Sequence, residues 1–300
     1  MFATELPAWF VWATAFAWGA TWGSFFNVAI YRWPRGMSVV RPPSHCPGCE
    51  QPILARYNVP IFGWLFLRGR ARCCGIPISP RYPLIELLAG VLSLTIAELW
   101  IVRAVPGTLL LDASLEWLLY FVFAGGLLIA TFVDLEWMEI PDEVSLPCAA
   151  LGLASAGFRH EPGLWSAAVG AGCAYLVIQV GFVWGYEALT GRRGMGEGDS
   201  KLMLMIGAFL GWKGALFSVV AGSMQGLVYT GFALVAGRNL TPEIEERVID
   251  GQVIEAPEQE PPGRLGQLKL PFGPFLALGA LEFLLAGDQI LDWYFGLLGR

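Results

Sequence analysis

The chain has 300 residues, of which 55% are hydrophobic and only 15% are charged. A soluble protein usually has about 25% charged residues, so this composition indicates a polytopic membrane protein. The formal net charge of −6 argues against a basic surface, and we therefore expect no nucleic-acid-binding function. The 13 Trp and 19 Phe residues are typical of lipid-facing surfaces and of the aromatic belts at membrane interfaces.

The apolar runs predict an all-α fold with about eight transmembrane helices, and seven is the alternative count. A helix needs roughly 20 apolar residues to cross the hydrocarbon core of a bilayer. The predicted spans lie near residues 8–31, 83–102, 115–133, 143–158, 164–188, 200–212, 213–236 and 271–297. The fourth and sixth are short, and we place the turn between the sixth and seventh at residues 211–214.

The arginines predict the orientation of these spans. Arg32 and Arg35 follow the first span, so its C-terminal end should face the cytoplasm. The N-terminus lacks the positive region of a cleaved signal peptide. With eight spans both termini lie outside, and nearly all arginines fall in the predicted cytoplasmic segments, which are residues 32–82, 134–142, 189–199 and 237–270.

The predicted spans and loops divide the chain into three parts. Residues 1–31 hold the first transmembrane helix, and residues 32–82 hold four cysteines and many prolines, which favours a small cytoplasmic domain. Residues 83–300 form the membrane core. Within the core, the loop 239–268 is acidic and interrupted by prolines, so we interpret it as a solvated cytoplasmic linker.

Two aspartates are the candidate catalytic residues. Asp134 ends one apolar run, and Asp199 opens another behind Gly196 and Gly198. Ionisable residues beside a membrane span are costly and are functional-site hypotheses by default. An aspartyl protease needs one ionised and one protonated carboxylate, and the helix ends favour Asp199 as the ionised partner. The glycines should allow unusual dihedral angles and close approach of the substrate.

Both aspartates also have structural interpretations. Asp199 is of a residue type that commonly caps a helix N-terminus. Asp134 could belong to an interfacial polar cluster with Glu136 and Asp142. A transporter with intramembrane carboxylates is a hypothesis of another class, but transporters usually hold such groups near midplane within internal repeats. Here both aspartates are predicted at one face, and no repeat is visible.

Cys46 and Cys49 form a C-x-x-C pair in a predicted cytoplasmic segment, where disulfides are disfavoured. Cys73 and Cys74 are the only other cysteines in this segment. A structural zinc site with four cysteine ligands is our interpretation, although adjacent cysteines require a changed backbone course. The alternative is a metal-free domain held by its prolines and a small apolar core.

The ordered motifs resemble those of the type IV prepilin peptidases, which are GxGD-type membrane aspartyl proteases. Asp134 and Asp199 match the two catalytic aspartates of that family. Four further segments match the family in order along the chain: residues 23–32 (GSFFNVAIYR), 46–49 (CPGC), 81–86 (RYPLIE) and 271–277 (PFGPFLA). The family usually supplies a second C-x-x-C pair, whereas Ala71 stands where its first cysteine is expected and Cys73 is displaced.

The resemblance implies two activities in the bacterial inner membrane. The first is cleavage of prepilin or pseudopilin leader peptides at the cytoplasmic face, for type IV pili or type II secretion. The second is methylation of the new N-terminal amine by S-adenosylmethionine, because members with this cytoplasmic domain are typically bifunctional. A peptidase without methyltransferase activity is the alternative. Arg81 and Glu86 are candidate cofactor-binding residues, and a helix-end anchor and a buried ion pair are the alternatives for them.

Overall fold

The computed structural model describes residues 2–46, 48–191, 194–236, 247–249, 252–254 and 270–298. Two compact units divide the chain, Met1–Ile129 and Ala130–Arg300. The helices are α1 (Ala8–Arg32), α2 (Phe62–Phe66), α3 (Arg81–Ala97), α4 (Leu110–Trp137), α5 (Asp142–Ser155), α6 (Gly163–Leu176), α7 (Tyr186–Thr190), α8 (Glu197–Val235) and α9 (Gly273–Leu298). Two short strands, β1 (Arg247–Ile249) and β2 (Gln252–Ile254), pair in antiparallel register with Arg247 opposite Ile254.

The chain also contains helical segments with 3₁₀ or π geometry. Short 3₁₀ helices lie at Ala3–Glu5, Trp33–Arg35 and Ala55–Tyr57. Segments with π-helical geometry, Glu98–Val102 and Val177–Gly185, extend α3 and join α6 to α7. The predicted acidic loop 239–268 lies outside the described residues except for β1 and β2.

Among the residues that the structure describes, four helical segments are long and apolar enough to cross a membrane: Arg81–Val102, Leu110–Trp137, Gly163–Thr190 and Glu197–Val235. They confirm the prediction of a largely helical protein with membrane-spanning helices. The predicted third span, residues 115–133, lies within α4, which extends beyond it at both ends, from Leu110 to Trp137. Hydropathy detects where the apolar run stops, whereas helical hydrogen bonding continues through the polar turn that contains Asp134.

In the unit Met1–Ile129, α1 packs closely on α3. A Cβ atom added to Gly23 would lie 2.6 Å from the Cα of Glu86, so only glycine allows this approach of the two backbones. Ser93 also donates a hydrogen bond from its hydroxyl to the carbonyl of Ala15, at 2.7 Å. Small residues and interhelical hydrogen bonds are the usual means of helix association in membranes.

In the unit Ala130–Arg300, α8 packs against α5 and α6. A Cβ atom on Gly207 would collide with the backbone of Gly170 on α6. The buried Arg159 donates hydrogen bonds to the carbonyl oxygens of Gly152, Ala208 and Phe209. A cation at these carbonyls complements the negative end of a helix, so Arg159 ties the end of α5 to the middle of α8.

Although α8 spans 39 residues, it does not run straight. Gly211 has φ 68° and ψ −174°, which are not helical values. A Cβ atom on Gly198 would lie 2.9 Å from Ile140, and one on Gly273 would lie 3.1 Å from the same residue. Gly226 approaches Phe272, with its Cβ position 3.7 Å from that ring. The two ends of α8 therefore lie at a common level, although a straight helix would separate residues 198 and 226 by about 42 Å.

The chain thus reverses at Gly211, the first residue of the turn predicted at residues 211–214. The second half of α8 then runs antiparallel to α9. Three pairs of close neighbours show this direction: Gly214 lies against Phe283, Gly279 against Ser218, and Gly222 against Phe275. The reversal brings the beginning of α8, the end of α8 and the beginning of α9 to one end of the bundle.

Candidate active site

Asp134 lies in the last turn of α4 and is buried, with 6% of its surface exposed. The backbone N–H of Gly273, the first residue of α9, donates a hydrogen bond to its Oδ2 atom at 2.9 Å. Asp134 lies at a helix C-terminus, as expected. The N-terminus of α9 also faces it, which was not expected. Helix-end electrostatics alone consequently do not decide which of the two aspartates is ionised.

Asp199 lies in the first turn of α8 and is also buried, with 8% of its surface exposed. Gly196 is the N-cap of this helix, and its N–H donates a hydrogen bond to Oδ2 of Asp199 at 3.2 Å. The interpretation of Asp199 as the N-cap residue is therefore wrong. The aspartate instead occupies the third helical position and reaches back to the cap, as the acidic member of a capping box does.

Ile140 lies between the surroundings of the two aspartates, because Gly198 precedes Asp199 in the chain and Gly273 lies beside Asp134. In the chain, Ile140 lies between α4 and α5, and both Gly198 and Gly273 pack against it. The two carboxylates are close enough for their charges to interact. Like charges that interact disfavour ionisation of both carboxylates at once, which is the electrostatic requirement of aspartyl proteolysis.

The two predicted glycines act differently from each other. Gly198 is needed because a Cβ atom there would lie 2.9 Å from the Cβ of Ile140. Gly196 has an ordinary extended backbone, with φ −78° and ψ 152°, and its Cβ position lies 3.7 Å from Asp199. The unusual dihedral angles expected at these glycines are absent, since neither has a positive φ.

Three further residues near the aspartates were not predicted. Gly273 belongs to the quoted segment 271–277, but nothing in the local sequence indicates that its N–H reaches a residue 139 positions away. Lys201 forms an ion pair with Asp142, at 2.6 and 2.7 Å to the two oxygens, and links the first turns of α5 and α8. Ser200 donates to Gln179, which lies in a π-helical segment.

The four cysteines of the segment 32–82 converge, as the zinc interpretation requires. The Sγ atoms of Cys46 and Cys74 are 3.5 Å apart, those of Cys49 and Cys73 are 3.2 Å apart, and all four lie within 4.8 Å of one another. Four sulfur ligands at about 2.3 Å from a tetrahedral zinc would lie about 3.8 Å apart. The donor set and its spacing therefore fit a single zinc ion.

Two tight turns carry these cysteines. Glu50 donates its N–H to the carbonyl of Cys46 at 2.8 Å, and Gly75 donates to that of Ala71 at the same distance. Gly75 has φ 74°, a left-handed conformation that favours glycine. The second turn begins at Ala71, where the resemblance led us to expect a cysteine, and it presents Cys73 and Cys74 instead.

The thiols differ in acidity. A hydrogen bond from the backbone N–H of Gly48 is the main cause that lowers the pKa of Cys46 to about 6. A side-chain hydrogen bond with Cys49 is the main cause that raises the pKa of Cys73 to about 12. Metal ligation requires thiolates, so Cys46 is prepared for zinc whereas Cys73 must release its proton to the solvent when zinc binds.

Glu86 and Arg81, the candidate cofactor-binding residues, both lie on α3. Glu86 is buried and accepts a hydrogen bond from the N–H of Ile61 at 2.6 Å. Ile61 precedes α2 and has a positive φ of 63°, which is unusual for a β-branched residue. The carboxylate of Glu86 thus fixes the course of the chain into α2. Arg81 begins α3, and its guanidinium lies 5.6 Å from the ring of Tyr82.

Comparison with known proteins matches both parts of the chain. Residues 17–100 match the bacterial peptidase A24 N-terminal domain, and residues 121–231 match the type IV leader peptidase family. A prepilin leader peptidase/N-methyltransferase of Aeromonas hydrophila is 34% identical over 97% of this chain and 96% of its own length. The chain belongs to the type IV leader peptidase family. Within this family, the protein of the same description from Klebsiella pneumoniae is 39% identical over 71% of this chain and 90% of its own length. The protein of the same description from Myxococcus xanthus is 31% identical over 92% of this chain and 90% of its own length. No solved structure matches the chain significantly.

Proposed function

We propose that the protein cleaves the leader peptide of type IV prepilins or pseudopilins and then methylates the new N-terminal amine with S-adenosylmethionine. One observation carries the proteolytic part: two buried carboxylates, Asp134 and Asp199, lie near enough for their charges to interact, and a backbone N–H orients each of them. The names of the relatives, which pair leader peptidase with N-methyltransferase, support the second activity.

Proteolysis by this pair follows from the chemistry of two carboxyl groups that share one proton. The ionised carboxylate takes a proton from a water molecule, which attacks the scissile carbonyl carbon. The protonated carboxyl donates to the carbonyl oxygen as negative charge develops on it. The tetrahedral intermediate then breaks its C–N bond, and the leaving amine takes up a proton from the pair. The N–H groups of Gly196 and Gly273 hold one oxygen of each carboxylate, which leaves the other oxygen for water and substrate.

The eight-span topology is also part of the proposal. The helices α1, α3, α4, α5, α6 and α9 supply six crossings, and the two halves of α8 supply the other two because the chain reverses at Gly211. With the arginine asymmetry, an even count places both termini outside and both aspartates at the cytoplasmic face of the bacterial inner membrane. The segment 32–82 is then a cytoplasmic domain, and residues 83–300 form the peptidase core within the lipid.

In this scheme zinc is structural. Cys46, Cys49, Cys73 and Cys74 would hold it, and the ion would join the two turns of the segment 32–82. A site closed by four protein ligands leaves no open position for substrate, so it supplies stability rather than catalysis.

Asparagine substitutions test the catalytic pair. We expect Asp134→Asn and Asp199→Asn each to abolish leader cleavage, because an amide neither accepts a proton from water nor donates one as an acid. Glu136→Gln is the matched control, since it neutralises an acid two residues from Asp134. Purified enzyme in detergent is incubated with a prepilin and a methyl donor, and mass spectrometry follows loss of the leader and gain of the methyl group.

The same assay separates the alternatives. A variant of either aspartate that keeps more than a small residual rate would remove that residue from the pair. Cleavage by the wild type without any methyl gain would establish the peptidase-only alternative. Methylation of a pre-cleaved pilin by both asparagine variants would show that they are folded.

Reporter fusions test the topology. Fusions after residue 60 and after residue 110 should report opposite sides of the membrane. Fusions after residues 196 and 236 should both report the cytoplasmic side, because α8 reverses between them. Opposite sides for this second pair would show that α8 crosses only once and would refute the eight-span arrangement.

A further inference from the structure

A cavity of about 420 Å³ lies in the unit Met1–Ile129, between the C-terminal half of α1 and the segment that follows it. Side chains from the last three turns of α1 form one wall, and residues 39, 40, 42–44, 58 and 60 form the other. The volume lies within the roughly 300–1,000 Å³ that is usual for small-molecule sites. Neither Asp134 nor Asp199 lines this cavity, and both belong to the other unit.

Arg32 is the charged residue that lines the cavity, and it is 94% buried, with 6% of its surface exposed. Its guanidinium donates to the carbonyl oxygens of Ser38 at 3.0 Å and of Pro42 at 2.8 Å. Both acceptors are neutral, so no carboxylate pairs with Arg32 in the part of the chain that the structure describes. A buried charge is costly unless it is paired, and two hydrogen bonds use only part of the five-donor fork. These facts favour an anionic group as a further partner of Arg32, and a carboxylate fits the guanidinium best.

The remainder of the lining suits a ligand with an apolar ring and polar edges. Phe25, Val28 and Pro42 contribute apolar surface, whereas Ser24 and Asn58 contribute hydrogen-bonding groups. Ser24 lies two helical turns before Arg32, about 12 Å along the axis of α1. The cavity is therefore long enough to separate a carboxylate bound at one end from a ring system bound at the other.

An acidic residue, Glu86, contacts the end of the cavity that Ser24 lines. Glu86 is hydrogen-bonded to Ser24, and its carboxylate also holds the N–H of Ile61, which follows the lining residue Pro60. Glu86 thus fixes both walls of the cavity without lining it. The cavity has a cation at one end and a buried acid behind the other, an arrangement that complements a ligand with both a carboxylate and a positive charge.

We infer that this cavity binds the methyl donor, a sulfonium amino-acid nucleoside, with its carboxylate on Arg32. The inference rests on the proposed N-methyltransferase activity and names its site. In the transfer, the lone pair of the substrate amine attacks the methyl carbon, and the C–S bond breaks as the C–N bond forms. The sulfonium becomes a neutral thioether, and the amine releases one proton to the solvent.

Two probes that differ in the amino-acid portion test the inference. S-adenosylhomocysteine carries the carboxylate, whereas 5′-methylthioadenosine lacks the carboxylate and the amine. Calorimetry on the full-length protein in neutral detergent measures both affinities. We expect the wild type to prefer S-adenosylhomocysteine roughly tenfold to hundredfold, the effect of a charge-assisted hydrogen-bonded pair.

Three variants locate the site. Arg32→Lys keeps the charge but removes the planar fork, so the preference for S-adenosylhomocysteine should fall clearly below that of the wild type. Val28→Phe fills the cavity without touching the bonds of Arg32, and it should weaken both probes by at least tenfold. Val91→Phe, the same substitution at an exposed position of α3, should leave both affinities unchanged. Zinc content and thermal unfolding check that each variant is folded.

Several outcomes would overturn the inference. Equal affinity of the wild type for the two probes would remove Arg32 as a carboxylate ligand, and wild-type affinity in Val28→Phe would remove the cavity as the site. Binding of phosphatidylglycerol, with no binding of S-adenosylhomocysteine by an enzyme that still methylates, would assign the cavity to an anionic lipid. A wild type that cleaves the leader but neither binds the donor nor methylates would instead refute the methyltransferase part of the proposed function.

Discussion

Gly273→Ala should impair leader cleavage while the protein stays folded. The added Cβ atom would lie 2.7 Å from Oδ2 of Asp134 and 3.1 Å from Cδ1 of Ile140. Ordinary contact begins at 3.4 Å, so the carboxylate or the start of α9 must move by the difference, 0.7 Å. The N–H of residue 273 is kept, so the substitution changes the position of the carboxylate rather than its hydrogen-bond partner.

The size of the effect follows from this displacement. A misplacement of about 1 Å in a catalytic constellation can cost about a hundredfold in rate. For 0.7 Å we expect kcat/KM for leader cleavage to fall roughly tenfold to hundredfold, or about 1.4 to 2.7 kcal/mol of transition-state stabilisation. Stability should change little, because the end of a side chain, rather than a backbone segment, can yield to the new methyl group.

The assay is cleavage of a prepilin by purified Gly273→Ala, with thermal unfolding measured on the same preparation. Gly296→Ala is the matched control, since it makes the same substitution in the same helix at a position where no atom of the described residues lies within 4 Å. Full activity of Gly273→Ala would refute the view that this glycine places Asp134. An equal loss in both variants would show that α9 responds to alanine in general rather than to the contact with the carboxylate.

Three further predictions concern other parts of the molecule. Purified protein should contain about one zinc per chain, and Cys46→Ser should remove it. The variant should also make residues 32–82 more sensitive to protease and reduce methyl transfer more than leader cleavage. Metal-free wild-type protein with a protease-resistant segment 32–82 would contradict this. Asp142→Asn removes a partly exposed ion pair, so we expect a loss of stability below about 1 kcal/mol and retained cleavage, whereas a loss as severe as that of Asp134→Asn would place Asp142 in the catalytic pair. Gly207→Ala should destabilise the protein by about 1–3 kcal/mol in denaturant unfolding because its methyl group meets the backbone of α6, while Gly172→Ala, with open space around it, should be neutral.

The positions of the membrane helices could largely be predicted from hydropathy, but their ends could not. The polar residues after Val133 end the apolar run, yet α4 continues to Trp137 because backbone hydrogen bonds form regardless of side-chain polarity. The turn at Gly211, by contrast, could be predicted from the local sequence. A glycine there can take the positive φ that a reversal requires, and polar Lys213 follows it two residues later.

Local sequence also indicated both aspartates, because each is a charged residue at the end of an apolar run. What surrounds them was not predictable. The N–H that orients Asp134 comes from the start of α9, and no spacing rule connects the two positions. The expectation from helix ends that Asp199 is the ionised partner stays a prediction, and it did not anticipate the second helix terminus that faces Asp134.

Cysteine spacing pointed to a metal site, although one of its two pairs departs from the usual C-x-x-C pattern. The structure explains how the pattern can change without loss of the cluster. A tight turn from Ala71 to Gly75 brings Cys73 to within 3.2 Å of Cys49 and leaves Cys74 3.5 Å from Cys46. Only the arrangement of the four sulfur atoms in space is required for tetrahedral ligation, so different spacings in sequence can supply it.

The two aspartates are oriented by backbone N–H groups, and this choice of donor has a consequence for catalysis. A side-chain cation beside either carboxylate would favour its ionised form strongly and oppose the shared proton that aspartyl proteolysis requires. A backbone N–H fixes an oxygen without adding a full charge, so the pair can still exchange its proton. At Gly198 and Gly273, where a side chain would collide with Ile140 or Asp134, glycine is also what allows the backbone to come this close. The same two glycines therefore allow the close packing at the starts of α8 and α9 and hold the aspartates in place. For this reason, we expect alanine at position 273 to reduce activity more than stability.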